Sequence, residues 1–151
     1  RFDLIVKAFN KLDLPLKIIG SGPDEARLKK LIRSKKIEMI PEIKDENMLR
    51  RIISDSQALI FPQVEDFGLS AAESLACGTA VIAYRAGGAL EIVEDGVNGA
   101  FFDEQTEEGL SHAVRRFQKM DLRQGEITKS AQKFSEANFR QALTEAIHQA
   151  I

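Results

Sequence analysis

The chain has a single cysteine, Cys77, which excludes an internal disulfide framework and fits a reducing compartment. It also lacks an excess of charge of either sign. Its 21 lysines and arginines stand against 23 aspartates and glutamates, a net charge of −2. That balance gives no hint of a nucleic-acid footprint, and no nucleic-acid partner is expected. No apolar run approaches the roughly 18 residues that a membrane span needs. With no leader-like stretch at its opening, the expectation is a soluble, cytoplasmic domain. The two histidines and one cysteine fall at no metal-ligand spacing. Neither G-x-G-x-x-G nor a P-loop G-K-[ST] is present.

What is there is ordinary globular material. The length of 151 residues, with 44% hydrophobic and 29% charged residues, fits one domain that buries a sizeable core. Phe2, Ile5, Val6, Phe9 and Leu12 share one helical face. Strands are predicted at 16–20, 37–40, 58–61, 80–84 and 100–102. Helices are predicted from Pro23–Asp24, over 45–55, 70–77 and 89–94, then over 106–119, 122–135 and 138–151. Residues Asp95–Gly99 read as a turn.

Strands alternating with helices at this spacing predict a Rossmann-like, doubly wound parallel sheet with helices on both faces. Such sheets bind ligands beyond the carboxyl ends of their strands. Two segments lie there: "GSG" after the strand at 16–20, and "QVEDFG" after the strand at 58–61. A doubly wound unit normally begins with a strand, whereas this chain begins within a helix. We therefore expect a strand and its loop ahead of Arg1, and 1–151 to be one cut domain.

Gly20, Ser21 and Gly22 could bring backbone amides close to an anion at a helix start. A tight strand-to-helix turn explains them equally well. Glu65 and Glu73 stand eight positions apart, on either side of the Phe67–Gly68 break. A helix beginning near Leu69 or Ser70 would put Glu73 beside its N-terminus. The amides of Phe67 through Ser70 could take a phosphate there, contributing about 1–2 kcal/mol. A carboxylate could accept hydrogen bonds from paired ribose hydroxyls, worth about 1.5–3 kcal/mol. Spacing alone leaves this balanced against two acids that merely complement a helix start.

The stretch "FPQVEDFGLSAAESLACGTAVIAYRAGGALEIVEDGVNGAFF" adds more than spacing can. It resembles the C-terminal signature of the family-4 retaining glycosyltransferases, enzymes of the two-domain GT-B fold. Their E-x7-E motif corresponds to Glu65 and Glu73. Their "EAxACGxPVIA" run corresponds to "ESLACGTAVIA", and "GGxxEIVxxGxxG" to Gly87 through Gly99. The "EDFGL" variant leans toward mannosyltransferase-like members, and Ala80 stands where the family commonly has proline.

The resemblance implies a domain that binds a nucleotide-sugar donor, such as a GDP- or UDP-hexose, for retaining transfer. A separate N-terminal domain would bind a saccharide or lipid-linked acceptor. Glu73 would hold the ribose hydroxyls, and Glu65 would lie beside the transferred sugar as the catalytic residue. Phe67, Gly68, Leu69 and Ser70 would contact sugar and diphosphate. Pro41, Glu42 and Ile43 would edge the base, and Gly20, Ser21 and Gly22 would line the cleft. No metal or cofactor is implied. The family's Arg/Lys pair, which neutralises the diphosphate, would precede Arg1. Lipid acceptors in the family also imply peripheral membrane contact through the intact protein. The reading carried against this one is a non-catalytic nucleotide-binding or interaction module of the same fold.

The remaining signals are plainer. Cys77 reads as a packing thiol, and His112 and His148 as helix-side residues. Gly87 and Gly88 read as a turn that could bring backbone near a ligand. Phe139, Leu143 and Ile147 form an apolar stripe on the last helix.

Overall fold

The computed structural model describes residues 1–150. Its elements run α1 (Phe2–Leu12), β1 (Leu16–Ile19), α2 (Glu25–Leu31), β2 (Ile37–Ile40), α3 (Glu46–Ser54) and β3 (Ala58–Phe61). They continue α4 (Leu69–Ala76), β4 (Ala80–Tyr84), α5 (Ala89–Ile92), β5 (Gly99–Phe102) and α6 (Glu107–Phe117). The chain closes with α7 (Gln124–Ser130), a 3-10 turn (Ala131–Phe134) and α8 (Glu136–Ala150). The predicted helix end at Ile151 lies outside the described residues.

Local chemistry explains most of the boundaries. α1 ends because Asp13 turns left-handed (φ 53°) and its amide returns to the Phe9 carbonyl. The Asp45 carboxylate accepts the amides of Asn47 and Met48 to open α3, and the Thr106 hydroxyl accepts that of Gly109 to open α6.

Every strand pair is parallel, as the alternation of strands and helices predicts. β1 pairs with β2 from Leu16↔Ile37 to Ile19↔Ile40. β4 pairs with β3 on one side and with β5 on the other. The ladders fall into two sets, β1–β2 and β3–β4–β5. One core joins them: Ile18 and Ile37 of the first set pack in the same cluster as Ile82, Ala100 and Phe102 of the second. α1 and α6 cover that face. Successive residues of β4 and β5 point to opposite sides of a pleated sheet. Val81, Ala83 and Phe101 therefore enter a second cluster beneath α4, α5 and α7. Helices on both faces explain why β4 and β5 are nearly continuous apolar runs.

Three of the shifted boundaries have a local cause. The helix expected over 122–135 tightens into a 3-10 turn after Ser130, and Ser135 is extended (ψ 151°). Its hydroxyl accepts the Asn138 amide at 3.3 Å, so α8 restarts with its own cap. α5 stops at Ile92 because Val93 is extended and the Asn98 side chain takes the Glu94 amide at 2.7 Å. Gly99, expected in a turn, is the first residue of β5.

Candidate functional site

Two pairs of loops leave the carboxyl ends of the parallel strands. The first pair follows β1 and β2. Gly20 donates its amide to the Ile40 carbonyl at 3.0 Å, which lays the predicted Gly20–Gly22 and Pro41–Ile43 segments side by side. Gly20 has φ 126°, a conformation that excludes most side chains. No atom lies within 4 Å of where a Cβ would stand on Gly20 or Gly22. Ser21, Pro41 and Glu42 are exposed and Ile43 half-buried. The glycines of this pair are uncrowded.

The second pair follows β3 and β4 and is closed by backbone. The Gly88 amide donates to the Glu65 carbonyl at 2.7 Å. A Cβ on Gly88 would fall 2.1 Å from the Phe67 carbonyl oxygen, and one on Gly87 2.5 Å from that of Glu65. The predicted turn at Gly87–Gly88 is therefore a clasp on the Glu65 loop, glycine being required because two backbones meet. Gly68 (φ 96°) then opens α4 with no side-chain cap. Its carbonyl is taken by the amides of Ala71 and Ala72, leaving the first amides of the helix facing outward.

The side chains follow from this frame. Glu65 is exposed, and its carboxylate accepts from Gln63 Nε2 at 3.0 Å. Pro62, at the root of the loop, gives its carbonyl to Gln105 Nε2 at 2.7 Å, and Gln105 in turn accepts from Arg1 at 3.2 Å. Glu73 is the fifth residue of α4, which begins at Leu69 as expected. It is exposed and makes no ion pair among the described residues, while Ala71, Ser74 and Leu75 bury the opposite side. Phe67 and Leu69 are exposed as well, and the Phe67 ring meets Phe134 edge-on at 5.7 Å. No hydrogen bond links the first loop pair to the second among the described residues.

Basic groups nearby are engaged. Arg85, just past β4, reaches Asp103 at 2.6 Å and lies 4.3 Å over the Phe101 ring. Arg116 grips Asp95 with two hydrogen bonds of 3.0 Å. What the arrangement offers a ligand is therefore a carboxylate, an uncapped helix start and a second carboxylate on that helix.

One residue the sequence reading missed is Asn98, 1% exposed. Its side chain binds the Ile92 carbonyl, the Glu94 amide and the Ser130 hydroxyl. It thus fixes the far end of α5, whose near end carries the Gly88 clasp. An asparagine between Gly96 and Gly99 looks like turn chemistry, and only an apolar neighbourhood on both sides hinted at burial. Surface depressions of about 510 Å³ on α7 and about 230 Å³ beside Arg1 contain none of the predicted residues. Strand-end placement and loop geometry are the better guides here, because an open cleft leaves no enclosed cavity.

Among the described residues no cluster of His, Cys, Asp and Glu could hold a metal ion. No helix among them is long and apolar enough to cross a membrane.

Comparison with known proteins agrees with this geometry. Residues 1–140 match the family model described as glycosyl transferases group 1. Over 105 residues the chain is 34% identical to a GDP-mannose-dependent alpha-(1-6)-phosphatidylinositol dimannoside mannosyltransferase of Mycobacterium tuberculosis, covering 69% of this chain and 27% of that protein. It is 30% identical over 101 residues to an N-acetyl-alpha-D-glucosaminyl L-malate synthase of Bacillus anthracis, covering 63% and 26%. The chain thus spans about a quarter of these relatives' length. Among solved structures it superposes on a lipopolysaccharide outer core galactosyltransferase, WaaB, with TM-score 0.84 at 16% identity, covering 97% of this chain and 45% of that one. Anabaena HepE in complex with UDP-glucose gives TM-score 0.75 at 20% identity, covering 97% and 44%. At such identities the likeness is one of fold, that of the C-terminal half of the GT-B glycosyltransferases.

Proposed function

The chain belongs to the group 1 glycosyl transferases, a family of retaining enzymes, and on that premise we propose that it is a nucleotide-sugar donor domain. The observation that carries this reading is the clasped loop at the carboxyl end of β3. It holds Glu65 in front of an uncapped helix that bears Glu73. The amides at the start of α4 stabilise the donor diphosphate as charge develops on it. Glu73 accepts the ribose hydroxyls. Glu65 orients the hexose and stabilises positive charge at its anomeric carbon. The first loop pair edges the base, with Pro41–Ile43 against its rim and Gly20–Gly22 lining the cleft.

Retention with a single carboxylate at the sugar favours entry of the acceptor on the face that the diphosphate leaves, over a covalent glycosyl-enzyme. The paired-carboxylate arrangement of retaining hydrolases needs a partner acid near the nucleophile. Glu65 has Gln63 as its side-chain neighbour instead. GDP-mannose is the donor we favour, on the resemblance to the mycobacterial mannosyltransferase. The acceptor, saccharide or lipid-linked, belongs in this proposal to a domain outside these 151 residues. One parallel strand laid between the β1–β2 and β3–β4–β5 ladders would join them into a single sheet.

The test is an amide-resolved NMR titration with GDP-mannose, UDP-glucose and ADP-glucose, wild type beside Glu73→Ala. We expect shifts at Gly20–Gly22 and residues 65–73, with GDP-mannose preferred. Glu73→Ala should weaken binding about 10- to 100-fold, the equivalent of charge-assisted hydrogen bonds to two hydroxyls. Shifts scattered over the surface, or equal in the variant, would overturn the assignment.

A further inference from the structure

We infer that Lys133 and Phe134, in the 3-10 turn after α7, are positioning residues for the Glu65 loop. The inference rests on the donor-domain reading only for its consequence; the positioning itself is a property of the free chain.

Three contacts converge from this turn and its approach onto the clasped loop pair. The Phe134 ring meets the Phe67 ring edge-on, with an interplanar angle of 88°. Phe67 directly precedes Gly68, whose left-handed turn aims the first amides of α4. Lys133 Nζ lies 4.9 Å over the Phe134 ring and donates to the Glu91 carbonyl in α5. Ser130 receives the Asn98 side chain at 2.9 Å, and Asn98 holds the end of the same helix. The turn therefore grips the Glu65 loop twice. One grip runs directly through Phe67; the other runs through α5 to the Gly88 amide and the Glu65 carbonyl.

Phe134 also packs at the margin of the second apolar cluster, but its contact with Phe67 lies outside that cluster. Phe67 is 46% exposed, so Phe134 fixes the side chain at one edge and leaves it presented to the cleft. Without that edge contact, the stretch from Val64 to Phe67 keeps the Gly88 clasp and the Gln63 hydrogen bond. Its aromatic end, however, is free to rotate. Chain beyond residue 130, far in sequence from the acid pair, thus sets how the α4 amides and Glu65 face a donor.

The experiment is residue-resolved hydrogen exchange on the free chain, comparing wild type with Phe134→Leu, Phe134→Tyr and Lys133→Met. Phe139→Ala, on the exposed face of α8, serves as control. The amides bonded to this loop, Gly88 on the Glu65 carbonyl and Ala71 and Ala72 on the Gly68 carbonyl, should exchange about three- to tenfold faster in Phe134→Leu, the loss of one aromatic pair. Amides of β4 and β5 should be unmoved. Phe134→Tyr should restore the wild-type rate, and Lys133→Met should give a smaller acceleration that extends to residues 88–92. Equal rates at Ala71, Ala72 and Gly88 in wild type and Phe134→Leu would overturn the inference, as would acceleration spread evenly over the fold. A GDP-mannose titration of the same variants then separates the two readings. Faster exchange with no binding in any variant sinks the donor assignment and leaves the positioning intact.

Discussion

The two loop pairs at the carboxyl edge use glycine for opposite reasons. Beside β1 and β2, Gly20 is needed for its backbone angle, and nothing crowds the space around it. Beside β3 and β4, Gly88 is needed because the Phe67 carbonyl occupies the place of its Cβ. The strands behind the loops differ in the same sense. β4 buries four of its five residues and its neighbour β5 all four, although β3 buries only Phe61, whereas β1 and β2 bury only Ile18 and Ile37. One half is preorganised by backbone and core, the other open and adaptable. That division suits a ligand whose reacting end must be held firmly and whose recognition end is read by exposed edges.

The largest test of the contrast is Asn98→Ala. It leaves the Ile92 carbonyl and the Glu94 amide without their side-chain partner and takes one of two hydrogen bonds from the Ser130 hydroxyl, which keeps the Ile127 carbonyl. We expect a loss of about 2–4 kcal/mol in chemical denaturation. A loss below about 0.5 kcal/mol, the scale of ordinary surface changes, would mean the clasped half is not organised through Asn98.

A sharper test pairs Gly88→Ala with Gly22→Ala. The first drives a methyl into the Phe67 carbonyl and should cost about 1–3 kcal/mol, as overpacking does. It should also shift the amides of residues 64–70. The second meets open space at ordinary backbone angles and should stay within about 0.5 kcal/mol of wild type. Equal costs in thermal melts would erase the distinction between the two loop pairs.

Much of this was readable beforehand, because the helices and strands are set by local periodicity. The alternation of Val81, Ile82 and Ala83 between two apolar clusters follows from β-strand geometry alone. The placement of Glu65 past β3 and Glu73 on α4 follows from strand order and a glycine break. What stayed hidden depends on contacts distant in sequence. Gly88 meets Glu65 and Phe67 across more than twenty residues, and Phe134 meets Phe67 across more than sixty. No periodicity encodes such pairs. Asn98 was hidden for another reason: its polar side chain is satisfied by backbone groups that only the fold brings together. The break after Ser130 had a signal, since Ser135 opening "SEAN" is a cap residue, but the apolar spacing of the flanking helices masked it.

The smallest effect separates the halves by pH. The open half is tied at its surface by ion pairs. The Lys36 ammonium, with help from the Ser34 hydroxyl, holds the Asp13 carboxyl below its ordinary value of 3.8. The Arg27 guanidinium does the same for Asp24 at the start of α2. Where α1 meets α6, Lys11 lowers Glu108 from 4.5. For each acid the folded value lies below the unfolded one. The stabilisation is therefore complete above the unfolded value and is lost as pH falls through the folded value. These groups are exposed, so each contribution is small and screened by salt. Their common position still matters, because Asp13 and Lys36 join the end of α1 to the start of β2. In hydrogen exchange followed downward from pH 6, β1 and β2 amides should lose relative protection below the ordinary carboxylate range, before those of β4 and β5. Lys36→Met should remove part of that pH dependence and leave β4 and β5 untouched. If both ladders lose protection together at every pH, the ion pairs do not secure the open half separately. The two regions would then unfold as one unit, whatever the difference in their loops.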